Sequence, residues 1–132
     1  MDRKHKELPI FSKAKEIAEL TKALTDTIDE EADKFHIKEQ MLANGYVLAS
    51  KVAGAEGASI YRIRMENAVL IKLASCELLA QASLCKAEGI TEDDYIQLLR
   101  DEMEAFRQLF LEWVAGFDRL DNLDDGWGIF NP

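Results

Sequence analysis

Proline is nearly absent from this chain: Pro9 and Pro132 are the only two in 132 residues, and just seven glycines accompany them. Long regular elements can therefore run with few breaks. Histidine and cysteine are equally sparse, at two each, which thins out the side chains that hold metals or attack substrates. No uncharged apolar run approaches the roughly 20 residues that span a bilayer. The basic start, MDRKHKELPIF, leads into no secretory apolar core. The expected setting is the cytoplasm, with no membrane partner. Strand-like alternation, internal repeats and low-complexity tracts are also missing.

What the chain does have is apolar content of 48%, ample for a folded core. Its length suits one domain over residues 1–132. The formal charge of -9 is uneven: residues 91–132 carry a net of -8, whereas residues 58–88 carry +1. An acidic last third repels phosphate backbones, so nucleic acid is a disfavoured partner.

Helical periodicity covers four segments, at about 10–28, 33–56, 60–88 and 92–117. In the first, Ile10, Ala14, Ile17, Thr21, Leu24 and Ile28 step by four and three, a heptad seam. Pro9 suits the first turn, and Phe11, Ala18 and Leu20 widen the stripe. The second carries Ile37, Met41, Leu48, Val52 and Ala55 on one face. A left-handed C-cap at Gly57 is expected to end it, with Ser59 as N-cap of the third. Thr91-Glu-Asp-Asp reads as a capping-box start for the fourth. The fourth buries Tyr95, Leu98, Leu99, Phe106, Leu109, Phe110, Trp113, Val114 and Phe117. Short turns pack such helices antiparallel, giving an all-α, up-down-up-down four-helix bundle. Residues 118–132 read as coil, with Trp127, Ile129 and Phe130 too apolar to hang free. They are expected to dock on the bundle or on a neighbouring subunit.

The third segment is the unusual one. From Ala68 to Cys85 it reads AVLIKLASCELLAQASLC, with Lys72 and Glu77 its only charges. Such a helix is apolar nearly all round and needs protein on more than one side. A single small bundle covers only one of them, so the chain is expected to assemble with copies of itself or with a protein partner.

Chemistry is harder to find. Di-iron bundles use paired Glu-x-x-His motifs; here His5 lies in the frayed start, and His36 has only Asp33 three residues before it. There is no Gly-x-Ser-x-Gly elbow, and no phosphate loop of the Gly-x-x-x-x-Gly-Lys type. Gly54-Ala-Glu-Gly57 follows no strand, so a dinucleotide reading fails. Cys76 and Cys85 are nine residues apart on one helix, a rise of about 14 Å against the 7 Å limit of a disulfide. They read as two small buried apolar residues. No cofactor, metal ligand set or catalytic residue is expected, and the chain reads as non-enzymatic.

Three smaller features carry alternatives. Glu77 is either a buried carboxylate bonded to an arginine or a neighbouring subunit, or a member of a solvent strip. Glu56, beside Gly57, is placed to bond exposed amides at the start of the third helix, as a structural latch. Lys51, Arg62 and Arg64 gather near the second turn, where they either grip phosphate or neutralise surplus acids of the fourth helix. The net charge favours neutralisation.

These residues resemble a known family. Lys51-Val-Ala-Gly-Ala-Glu-Gly57 looks like the Ala-Glu-Gly signature that closes the second helix in four-helix-bundle proteins encoded within intervening sequences of bacterial 23S rRNA genes. The third-helix glutamate of SCELLAQ, Glu77, and Gly89-Ile-Thr-Glu-Asp-Asp-Tyr at the start of the fourth helix match as well. The resemblance spans residues 8–117. It implies an up-down-up-down bundle and closed homo-oligomers, most often barrel-like pentamers. It also implies kinship with retroelement accessory proteins that bind a reverse transcriptase and nucleic acid. The chain departs in having Val52-Ala53 where that family usually has Ser-Asn, and in lacking the basic character of the retroelement proteins. The expectation is a homo-oligomeric scaffold or interaction module, with a nucleic-acid-binding accessory as the alternative.

Overall fold

The first heptad seam closes into a helix because every step of it faces the same side. In the computed structural model, which describes residues 4–121 and 123–129, α1 spans Pro9–Asp26, after a 3₁₀ turn at Lys4–Glu7. Ile10, Ala14, Ile17, Thr21 and Leu24 are all buried on it. Thr21 loses no hydrogen bond by this, since its Oγ1 donates to the Ile17 carbonyl at 2.7 Å. His5, expected in a frayed end, sits in the 3₁₀ turn with its ring edge-on to Phe11, 5.0 Å between centroids.

Helices α2 (Ile37–Glu56), α3 (Tyr61–Glu88) and α4 (Asp93–Ala115) complete the all-α fold. α1 packs against α2 and α4, and α3 closes the ring between them; among the described residues the backbones of diagonal helices stay apart. This is the neighbour pattern of an up-down bundle. Ile37, Met41, Leu48, Val52 and Ala55 are buried as the sequence implies, and each buried Leu or Ile contributes about 1.5–3 kcal/mol relative to exposure. On α4 the buried seam is Ile96, Leu99, Met103 and Phe106. Leu98, expected inside, is instead 47% exposed, because it lies one step off that three-four spacing. Gly45 lets α1 approach α2: a Cβ there would meet the Thr21 side chain at 3.4 Å.

The caps depart from expectation, each for a local reason. Gly57 is right-handed at φ -77°, so it is no left-handed cap; its amide bonds back to the Ala53 carbonyl and the chain then leaves through an extended Ile60. Ser59 does not cap α3. The Tyr61 amide, left without an intrahelical partner in the first turn, donates instead to the Asp121 carbonyl of the C-terminal coil, at 2.6 Å. The left-handed stop is Gly89, φ 65°, with the Ile90 amide reaching the Cys85 carbonyl at 3.1 Å. Thr91 provides no capping box. Its hydroxyl shares a 2.8 Å hydrogen bond with that of Thr27, tying the end of α1 to the start of α4. α2 begins at Ile37 rather than 33 because Asp33 stays outside and accepts the Ile37 and Lys38 amides at 2.7 and 3.1 Å.

The coil after α4 docks through its first residues. Phe117 is buried against Ala55 and Ala68. Trp127 and Ile129, expected to dock, are 81% and 66% exposed in the single chain; Phe130 lies outside the described residues. The Asp124 and Asp125 carboxylates accept the Gly126 and Trp127 amides two residues on, so these bonds turn the tail locally.

Candidate interaction surface

The third helix has two distinct apolar sides. Ala68, Ile71, Ala74, Leu78, Ala82 and Cys85 face the bundle and are buried. Opposite them, Val69 (49% exposed), Leu70 (44%), Leu73 (51%) and Leu84 (37%) face outward. Three leucines and a valine on one exposed helix face form a patch, which is informative where scattered surface apolars are not. By length and composition α3 is also apolar enough to cross a membrane, with 33% of its most apolar window buried in the bundle.

The buried side is pinned by polar contacts at its edge. Asn44 Nδ2 donates to Gln81 Oε1 at 3.1 Å, linking α2 to α3. Gly54 admits the Asn67 side chain, whose Oδ1 would lie 2.9 Å from any Cβ at that position. Asn67 in turn donates to the Ile63 carbonyl at 2.8 Å.

The seam between α3 and α4 is looser than the others. An open groove of about 510 Å³ runs along it, floored by Ile71, Leu79, Met103, Phe106 and Phe110 and edged by Lys72, Arg100 and Arg107. Ser75 Oγ is buried in its wall with no hydrogen-bond partner among the described residues. Arg100 crosses from α4 to Ser83 Oγ at 2.6 Å. At one end a further bond crosses the bundle: Trp113 Nε1 donates to Glu56 Oε1 at 2.7 Å, joining the end of α2 to α4.

Glu56 is therefore a latch, but to the Trp113 indole rather than to the amides of α3. Glu77 is exposed in the single chain, on the outward side of α3. Cys76, expected inside, is exposed too, and only Cys85 is buried; both thiols are free. Burial pushes the Cys85 thiol up, and the Asp33 charge adds to this. His36, in the left-handed region at φ 55°, stands at the N-cap position of α2.

The basic trio does not form one face. Arg62 and Arg64 are two residues apart at the start of α3, which sets their side chains on different sides of a helix. Arg64 turns inward: its Nε donates to the Ala58 carbonyl at 2.7 Å and its guanidinium lies over the Phe117 ring at 5.8 Å. It braces the second turn rather than offsetting an acid of α4. Lys51 is half-buried on α2.

Sequence reasoning missed Trp113 as a latch partner and Lys13, whose Nζ bridges α1 to Glu102 of α4 at 2.8 Å. Neither pairing has a spacing signal, because both join residues far apart in the chain. Among the described residues no three His, Cys, Asp or Glu side chains converge in a way that could hold a metal ion. No protein-family model matches the chain, and no curated protein does either. The chain is a four-helix, all-α protein.

Proposed function

We propose that this chain is a non-enzymatic, cytoplasmic scaffold or interaction module that works as a homo-oligomer, and that it is kin to the intervening-sequence bundle proteins. The observation carrying this reading is the outward side of α3. Burying Val69, Leu70, Leu73 and Leu84 against another copy removes from water an apolar strip that no helix of its own bundle reaches. At about 25 cal/mol per Å², a patch of about 800 Å² per subunit gives a large gross drive, part of which association entropy offsets. Exposed Trp127 and Ile129 add apolar surface that a neighbour can cover. The resemblance suggests a closed ring of five. A bilayer is the poorer cover for α3, since its inward side is already committed to α2 and the outward side carries both Lys72 and Glu77.

Size-exclusion chromatography with light scattering is the direct measurement. A mass several times the 14.9 kDa of the chain is expected, and a clean monomer at micromolar concentration would overturn the reading. The rival, a nucleic-acid-binding accessory acting through Lys51, Arg62 and Arg64, is weakened by the use of Arg64 as a brace.

A further inference from the structure

The outward side of α3 carries enough pattern to say how two copies meet. Val69, Leu73, Cys76, Ala80, Ser83 and Ala87 step by four, three, four, three and four. That is a second heptad seam, set opposite the buried positions Ile71, Leu78 and Cys85. Taking Leu73 and Ala80 as a positions, and Val69, Cys76 and Ser83 as d positions, fixes the flanks. Lys72, Leu79 and Lys86 are then g positions, while Leu70, Glu77 and Leu84 are e positions. Lys72 and Glu77 make no ion pair among the described residues.

We propose that α3 packs against α3 of a second copy, parallel and in register, with Lys72 of each chain facing Glu77 of the other. This rests on the homo-oligomer reading and specifies its geometry. The argument is charge complementarity. In a parallel pair, a g residue faces the e residue five positions further along the partner, the contact through which such charges set orientation. Lys72 then meets Glu77, and Leu79 meets Leu84, so charge lies on charge and leucine on leucine. An antiparallel pair has its two-fold perpendicular to both helices, which sets g against g and e against e. Lys72 would then lie on Leu79 and Glu77 on Leu70, leaving both charges against apolar neighbours. A parallel pair slipped by one heptad fails likewise, because Glu77 would face Leu79 and Lys72 would face Leu84 or Leu70. Only one orientation and one register satisfy both charges. In a closed ring each contact is one-way instead, with Lys72 of one chain meeting Glu77 of the next.

Cys76 makes the arrangement testable with the chain as it stands. In parallel register it lies opposite its own copy, whereas the antiparallel pair sets it beside Leu73. Mild oxidation of the full-length protein is expected to give a disulfide-linked dimer, lost in Cys76→Ser; Cys85 is buried and does not substitute. Lys72→Glu and Glu77→Lys are each expected to weaken self-association about tenfold or more, by replacing attraction with repulsion at each contact. The combined swap is expected to restore it. If the protein is oligomeric but gives no Cys76 disulfide and no rescue, this geometry is wrong and the scaffold reading survives. If it is a monomer, both fall.

Discussion

The Glu56–Trp113 hydrogen bond offers the sharpest test of how α4 is held to α2 across the bundle. Removing the donor by Trp113→Phe keeps an aromatic ring between Phe110 and Phe117, whose centroids lie 6.2 and 4.8 Å from the indole. The bond is 2.7 Å long and ends on a carboxylate, a class that contributes about 1.5–3 kcal/mol when desolvated. Both residues are half-buried here, so water takes over part of the lost bond and about 1–2 kcal/mol remains. A domain of this size loses roughly 3–6 °C in Tm for each kcal/mol. Smaller packing losses accompany the ring change, so a single variant is ambiguous and a double-mutant cycle with Glu56→Ala is needed. Urea unfolding at one fixed protein concentration, which holds any self-association constant, should give a coupling energy of about 1–2 kcal/mol. A coupling indistinguishable from zero would mean that the contact contributes only shape, and that α4 is kept in place by its other contacts.

Two further outcomes follow from charged and titrating groups. Lys13 is held by hydrogen bonds to Glu102 and then Glu16, which raise its pKa above the usual 10.5; since it is partly exposed, Lys13→Met should cost only about 0.5–1 kcal/mol. The folded pKa is the higher one, so this contribution is complete at neutral pH and fades as pH climbs above 10.5 through the raised folded value; the gap between the urea midpoints of the parent and variant should therefore narrow as pH rises above 10.5, and a gap that does not change would assign the loss to packing. For Cys85, the Cys76→Ser background isolates the buried thiol: it should stay inert to a thiol reagent until urea unfolds the chain, and prompt native-state labelling would show that the Met41–Cys85 contact, 3.8 Å between sulfurs, opens locally.

The repeating parts of this fold were legible because periodicity survives without knowing the partners. The α1 seam from Ile10 to Ile28 and the α2 face from Ile37 to Ala55 are buried throughout. The non-repeating parts were not, because they depend on where a distant segment returns. Ser59 is a good N-cap residue by type, yet the amide it would serve is taken by Asp121, sixty residues later. Gly57 and Gly89 look equally suited to a left-handed stop, and only the path beyond each distinguishes them. Glu56 was recognised as a latch while its partner was not, since an indole nitrogen on another helix leaves no local trace. Cys76 was misplaced by composition: in an apolar helix a cysteine reads as core, and only the phase of the buried seam sets it outside.

The division of labour along α3 explains why its outward side can serve as an interface at all. Its first turns are fixed on several sides. The Asp121 carbonyl holds the Tyr61 amide, Arg64 spans the Ala58 carbonyl and the Phe117 ring, and Asn67 fills the notch left by Gly54. Glu56 and Trp113 bolt the neighbouring helices at the same end. Beyond that end the α3–α4 seam opens into its groove, and α3 depends chiefly on α2. A helix anchored at one end and backed along one side presents a straight, preorganised strip, so little conformational freedom is lost when a second surface covers it. Leu73→Glu separates the two roles: the residue is 51% exposed, so the subunit's helix content should be unchanged while the light-scattering mass drops. Loss of helix content instead would show that α3 cannot stand on its inward contacts alone, and that folding and assembly are one event.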